Sequence, residues 1–314
     1  MDIINDRLYQ PFCDSYKATD SFLDENPLLK SQFDDLYSFA SHILGECFPA
    51  DLDSIRKIWW FPIVEAGLEL EYSLFFAKAG IYKTSHMALR NFLELSLTCF
   101  HFLLMKKAKG NDWVRGNTPT PFKREILSGL FDNEDFLILD QNISIKARIE
   151  TAYRMLSDIC HTRGRPHSHM ELSKANYPRF TAEALQSYLQ TTRDVVDLVI
   201  TCFIGVNPII LYPIPVEEKF GINGPMSGYL QEPEVERLRR LLKPDSLQHL
   251  LRYYDTNTGV QSQRDYFAGL PDITEAEVRK QFEEFDKFIA DMNTRNAQQG
   301  GPGYPPQGVG SPDP

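Results

Sequence analysis

The chain lacks most of the motifs that announce an enzyme class. It has no CxxC pair, no glycine-rich phosphate loop, no GxSxG elbow and no HExxH. Common zinc modules, P-loop nucleotide chemistry and hydrolases built on a serine elbow are therefore not indicated. Five cysteines (Cys13, Cys47, Cys99, Cys160, Cys202) are scattered and odd in number, mostly inside apolar helical pattern. They read as small buried thiols of a reducing compartment, not as a disulfide framework. The opening MDIINDRLYQPF has neither the charged nor the apolar region of a signal peptide. The longest apolar stretch, residues 89–105, is interrupted by Arg90, Asn91, Glu94 and His101. Such a stretch fits a buried helix better than a membrane span. A cytoplasmic protein without membrane contact is expected. Positive charge is also short, with a net charge of -10. This argues against a broad polyanion-binding surface, and no DNA partner is expected. It leaves room for a local basic pocket acting on RNA.

Strand signals are equally scarce. Residues 211–216 form the only candidate, and they contain two prolines. What is present is helical period. Residues 1–30 read as an irregular or short-helical lead-in, with Pro11 and Pro27 as breakers. Residues 31–206 read as a bundle of four or five long helices, punctuated by Pro49, Gly80, Gly164 and Pro208. Residues 110–121, with Trp113, read as a loop. Residues 207–293 read as a smaller helical appendage whose last helix opens on a capping-box pattern, Thr274 to Glu277. Residues 294–314 are rich in glycine and proline, and a disordered tail is expected. The fold class is all-α.

The most informative segment is AYRMLSDICHTRG, at the end of a helix. On a helical wheel Ser157, Asp158 and His161 fall within roughly 60° of Arg154. The apolar set, from Ile145 to Cys160, is centred on the opposite side. Two readings follow. The stripe is the wet face of an amphipathic helix, or it is a site closed by another segment or a second subunit.

An all-α bundle with an Arg-x6-His motif near a helix end resembles the HEPN superfamily, many of whose members are metal-independent ribonucleases. YRMLSDICHTRG is similar to the LS-x-x-x-H helix end of bacterial HEPN-like families. SHMALRNFLELSLTCFHF is similar to the LR-x-x-L/F-E helix that accompanies it. The resemblance covers residues 60–206. It implies a homodimer in which the Arg154–His161 helices face each other, with no metal and no cofactor. It also implies catalytic roles for Arg154, His161, Asp158 and Ser157. His161 would act as general base or acid, Arg154 would hold the phosphate, Asp158 would orient the imidazole, and Ser157 would add a hydrogen bond. One position departs from the family: Met155 stands where catalytic members carry a polar residue.

The helix around residues 85–107 is apolar nearly all round and should be central in the bundle. Arg90, Glu94 and His101 share one side of it. The bland reading is an internal Arg90–Glu94 salt bridge. Arginine first is the weaker i,i+4 orientation, which suggests a further partner on the Arg154–His161 helix. The sharper reading makes Arg90, Glu94 and His101, with Arg163 and Arg165, contacts for a phosphate substrate or another small molecule. His161, His167 and His169 lie close in sequence but match no standard zinc spacing. Two functions remain in view. One is an RNA-cleaving effector of bacterial defence or of a toxin–antitoxin pair. The other is a non-catalytic HEPN-derived interaction module that binds a partner through residues 207–293.

Overall fold

The computed structural model describes residues 9–47, 60–104, 107–173, 178–221 and 230–298. Among these residues every regular element is helical and no strand occurs. The chain is all-α. The weak strand candidate at 211–216 is irregular over 212–215, between a 3-10 turn that ends at Leu211 and a short helix that starts at Val216. The Pro49 break and the tail beyond residue 298 lie outside the described residues.

Prolines here begin helices more often than they break them. α1 (Gln10–Glu25) and α2 (Pro27–Ser38) carry Pro11 and Pro27 in their first turn. The expected lead-in is therefore two ordered helices. A proline at the first helical position has no N–H to waste and its φ already suits the helix. α2 runs on through a π-helical turn, Phe39–Ile43, to Glu46. α3 (Trp60–Lys78) and α4 (Tyr82–Leu104) form the central pair. The tight turn between them uses Gly80 at φ +75, and a Cβ there would lie 2.5 Å from the Arg179 carbonyl carbon. Only glycine meets both demands.

α5 (Lys107–Val114) takes in Gly110 and Trp113, so the expected loop starts after Val114. The Trp113 ring packs on Phe102, which pulls the segment into helix. α6 (Lys123–Phe131), α7 (Glu134–Ile143) and α8 (Ile145–Cys160) follow. α9 (His169–Ser173) and a 3-10 turn fold part of the expected polar loop after His161. α10 (Ala182–Val206) is the longest element of the bundle. α4 packs against α3, α6, α8 and α10. Its place at the centre agrees with its apolar surround. Phe100 meets Phe203 of α10 edge-on at 4.6 Å. Tyr188, Ser73 and the Ser85 carbonyl form a fully buried chain at 2.6 and 2.7 Å that ties α10 to α3 and α4.

The next two helices, α12 (Glu232–Leu241) and α13 (Pro244–Thr256), are not a separate appendage. They belong to one compact unit, Met1–Ile214 with Pro225–Asp265. Two carboxylates hold them there. Asp35 of α2 accepts a bidentate pair from Arg240 at 2.8 and 2.7 Å. Asp197 of α10 is 0% exposed and accepts from the Lys243 N–H at 2.8 Å, from Ser246 Oγ at 3.3 Å and from Arg148 of α8. Apolar period alone does not reveal such latches, so the expected boundary at 206/207 falls inside this unit.

The second unit is Pro215–Gly224 with Tyr266–Pro314. In it α11 (Val216–Phe220) ends at Gly221, whose φ is +65 and where a Cβ would lie 2.6 Å from Val278 Cγ2, so glycine suits the position. α14 (Thr258–Gly269) starts in the first unit and ends in the second. α15 (Glu275–Gln298) opens with the capping box read from sequence. The Glu277 carboxylate accepts the Thr274 N–H at 2.9 Å, and Thr274 Oγ accepts the Glu277 N–H at 3.3 Å.

Two consequences can be measured. Asp197→Ala strands Arg148 and the Lys243 N–H, and chemical unfolding should show a loss of about 3–5 kcal/mol. A loss under about 1 kcal/mol would show that the latch is not needed. Glu46 behaves differently: burial, with Glu234 nearby, raises its carboxyl to about 7. The folded state thus binds its proton more tightly than the unfolded chain. The resulting stability is present below about pH 4.5 and is lost as pH rises to about 7. Glu46→Gln should melt at a higher temperature than wild type at pH 8, and the gap should close by pH 4.

Candidate functional site

The candidate site lies where the C-terminal end of α8 meets the first half of α4. His161 is the C-cap of α8 and is exposed. Two bonds close the helix behind it: Arg163 N–H to the Asp158 carbonyl at 2.8 Å, and Thr162 N–H to the Ile159 carbonyl at 3.1 Å. This Schellman pattern requires a left-handed residue at Thr162, whose φ is +49. Glycine is the usual occupant, and a β-branched residue there is strained. The Thr162 hydroxyl is held by Lys83 Nζ at 2.5 Å, from the start of α4. The strained turn is thus pinned from a second helix.

Arg90 is the pivot of the site. Its Nε and one terminal nitrogen donate to Glu94 Oε1 at 3.0 and 2.9 Å. The same terminal nitrogen reaches Tyr153 Oη at 3.2 Å, and Tyr153 in turn donates to Glu94. The remaining terminal nitrogen, Nη1, points at His161 Nε2 at 3.5 Å. A guanidinium can only donate, so this contact is a hydrogen bond in the tautomer that carries the imidazole proton on Nδ1. Burial opposes the charge on Arg90, but Tyr153 and Glu94 outweigh it and hold the group cationic. Burial and the bond to Glu94 push the Tyr153 hydroxyl up and keep it protonated. The further partner sought for the Arg90–Glu94 pair on the Arg154–His161 helix is therefore Tyr153, with His161 beside it.

The four residues of the stripe are less united than their spacing implies. Arg154 is exposed and forms no hydrogen bond or ion pair among the described residues. Two helical turns put it about 10 Å from His161 along the axis, so Arg90 is the nearer arginine. The Asp158 carboxylate pairs with Arg163 at 3.3 Å and makes no bond to the imidazole among the described residues. Ser157 is half-buried, and its carbonyl accepts the His161 N–H at 2.9 Å. Met155 is half-buried and packs against the core.

Of the flanking residues, Arg163 and Arg165 are 77% and 89% exposed, with Arg165 3.7 Å from Glu171. His101 is not part of the cluster. It lies about 16 Å along α4 from Arg90, is buried, and lines a separate cavity of about 650 Å³ with Phe102 and Arg124. Burial, with Lys83 nearby, lowers the His169 pKa and favours its neutral ring. Among the described residues no three His, Cys, Asp or Glu side chains converge as metal ligands. No described helix is long and apolar enough to cross a membrane.

Tyr153, Lys83 and Thr162 were not evident from spacing. Tyr153 precedes Arg154 on the flank of the polar stripe, and the unfavourable order of Arg90 and Glu94 was the only pointer to it. Lys123 Nζ also lies over the Tyr153 ring, at 4.9 Å. The end of α8 thus gathers Lys83, Arg90, Lys123, Arg154, Arg163 and Arg165 on a chain whose net charge is -10. Compared with protein-family models, with curated proteins and with solved structures, the chain finds no match.

Tyr153→Phe keeps the ring and deletes both bonds of its hydroxyl. Urea unfolding should show a loss of about 1 kcal/mol, and a double-mutant cycle with Glu94→Gln should show coupling between the two. Additive losses would mean that the hydroxyl contributes nothing to the cluster.

Proposed function

We propose that this chain is a HEPN-like endoribonuclease that needs no metal, acting as an effector of bacterial defence or of a toxin–antitoxin pair. The biological setting rests on the sequence resemblance alone. The observation that supports the chemistry is the convergence of His161 Nε2 and Arg90 Nη1 at 3.5 Å. One phosphodiester can reach both. A neutral imidazole takes the proton of a ribose 2′-OH, the 2′-oxygen attacks phosphorus as the P–O5′ bond breaks, and the imidazolium returns the proton to the leaving 5′-oxygen. This gives a 2′,3′-cyclic phosphate and a 5′-hydroxyl, while the guanidinium meets the charge that develops on the phosphate. Arg154, Arg163 and Arg165 supply phosphate contacts along the strand, which position the RNA without reading its bases. A homodimer through α8 encloses the exposed histidine and brings a second Arg154 to the cleft.

A second reading keeps the module without the catalysis, with residues 207–293 offering a surface to a protein partner. Two observations favour it. Asp158 is directed to Arg163, and among the described residues no carboxylate bonds to the imidazole. Met155 packs on the core where catalytic members of the family carry a polar residue.

Cleavage of a mixed RNA substrate separates the two. Under the first reading His161→Ala lowers the rate by about 10²–10⁴-fold. Arg154→Ala weakens binding and flattens its salt dependence, and a chelator changes nothing. Equal rates for wild type and His161→Ala would sink the ribonuclease reading. RNA binding with no cleavage by any variant would favour the second.

A further inference from the structure

We propose that a cavity formed by α1, α2 and α3, which carry no residue of the histidine cluster, is a binding site for a small organic ammonium ion. The cavity measures about 570 Å³, within the range of about 300–1,000 Å³ typical of small-ligand sites. Its walls are aromatic, with Tyr16 from α1, Phe33 and Tyr37 from α2, and Tyr72 and Phe75 from α3. Tyr37, Tyr72 and Phe75 remain 49%, 51% and 43% exposed. Adjacent large rings left open to solvent mark a binding surface more often than chance. Of the three, Phe75 is braced, its ring centroid 5.7 Å from that of Phe12 and 6.0 Å from that of Tyr16.

The charges select the ligand. Lys78 is the only cation on the wall, and it is already committed to an ion pair with Asp20. Its Nζ lies 4.3 Å from the Tyr16 ring centroid and 5.7 Å from that of Phe33. These rings therefore already hold one ammonium by their π faces, the interaction that recognises quaternary ammonium ligands. Asp34 and Glu71 also line the cavity, and neither is in an ion pair among the described residues. Glu71, Phe75 and Lys78 stand at i, i+4 and i+7, so they share one face of α3. A ligand cation set over Tyr37, Tyr72 and Phe75 would have both carboxylates as counter-charge. An anion would face two carboxylates and a neutralised lysine. A neutral ligand would cover the carboxylates without compensating them.

Calorimetric titration of the whole chain with choline, beside its neutral isostere 3,3-dimethylbutan-1-ol, tests this. Choline should bind saturably with Kd of about 1 mM or tighter, and the isostere about tenfold more weakly. The double variant Asp34→Asn/Glu71→Gln should weaken choline about tenfold. Asp34 is exposed and Glu71 half-exposed, so circular dichroism should show the fold retained. Tyr72→Ala should weaken choline as well and leave the weak binding of the alcohol nearly unchanged. Equal binding of the two probes would overturn the proposal. So would choline binding indifferent to the double variant, or no saturation by about 10 mM choline.

Discussion

The Asp197 carboxylate is sealed from solvent, and the protein must satisfy it with its own donors. Three helices answer that demand. Arg148 arrives from α8, the Lys243 N–H and Ser246 from the start of α13, and Asp197 itself stands on α10. A buried charge tolerates few alternative arrangements, because each one leaves an uncompensated ion in a low-dielectric interior. The network ties the first half of α8 to α10 and α13 through Arg148. The buried Ile145, Ile149, Leu156 and Ile159 turn the apolar face of α8 inward, and Tyr153 and His161 are left on the side that reaches Arg90.

The second constraint lies in α4. Most of this helix is buried, and its Arg90 and Glu94 stand on a side that is only partly open, at 20% and 36% exposure. Arg90 is paired by Glu94 and Tyr153, and the pairing consumes all but one edge of the guanidinium. The free edge is directed at His161. A flexible surface arginine would sample many directions and lose side-chain entropy on every encounter with a phosphate. One clamped by a carboxylate and a phenol has already lost that freedom. At the other end of the pair Lys83 holds the Thr162 hydroxyl and so ties the backbone turn after His161 to α4.

Local rules explain much of what was legible beforehand. Helix ends at Gly80 and Pro208, the capping box at Thr274 and the central place of α4 all follow from short-range period and backbone chemistry. Some local signs have two meanings. Pro11 and Pro27 punctuate an irregular or short-helical pattern, yet a proline also suits the first turn of a helix, and both stand there. Residues 110–114 read as a loop for their glycine and polar residues, yet Trp113 gains more by packing on Phe102. The candidate site was half legible. The polar stripe of α8 and the Arg90–Glu94 pair were visible as two patterns, while their meeting through Tyr153 was not.

The all-α class, the amphipathic face of α8 and the residues that face away from its core can be read from the chain alone, because each depends on neighbours within a turn or two. That Arg90, and not Arg154, stands beside His161, and that Asp158 turns to Arg163, emerges with the packed fold. So does the joining of α12 and α13 to the main unit through Asp35 and Asp197. Apart from the local Asp158–Arg163 pair, these are pairings between residues tens to hundreds of positions apart. They are selected by the cost of leaving a buried charge unmatched, and no local period carries that information.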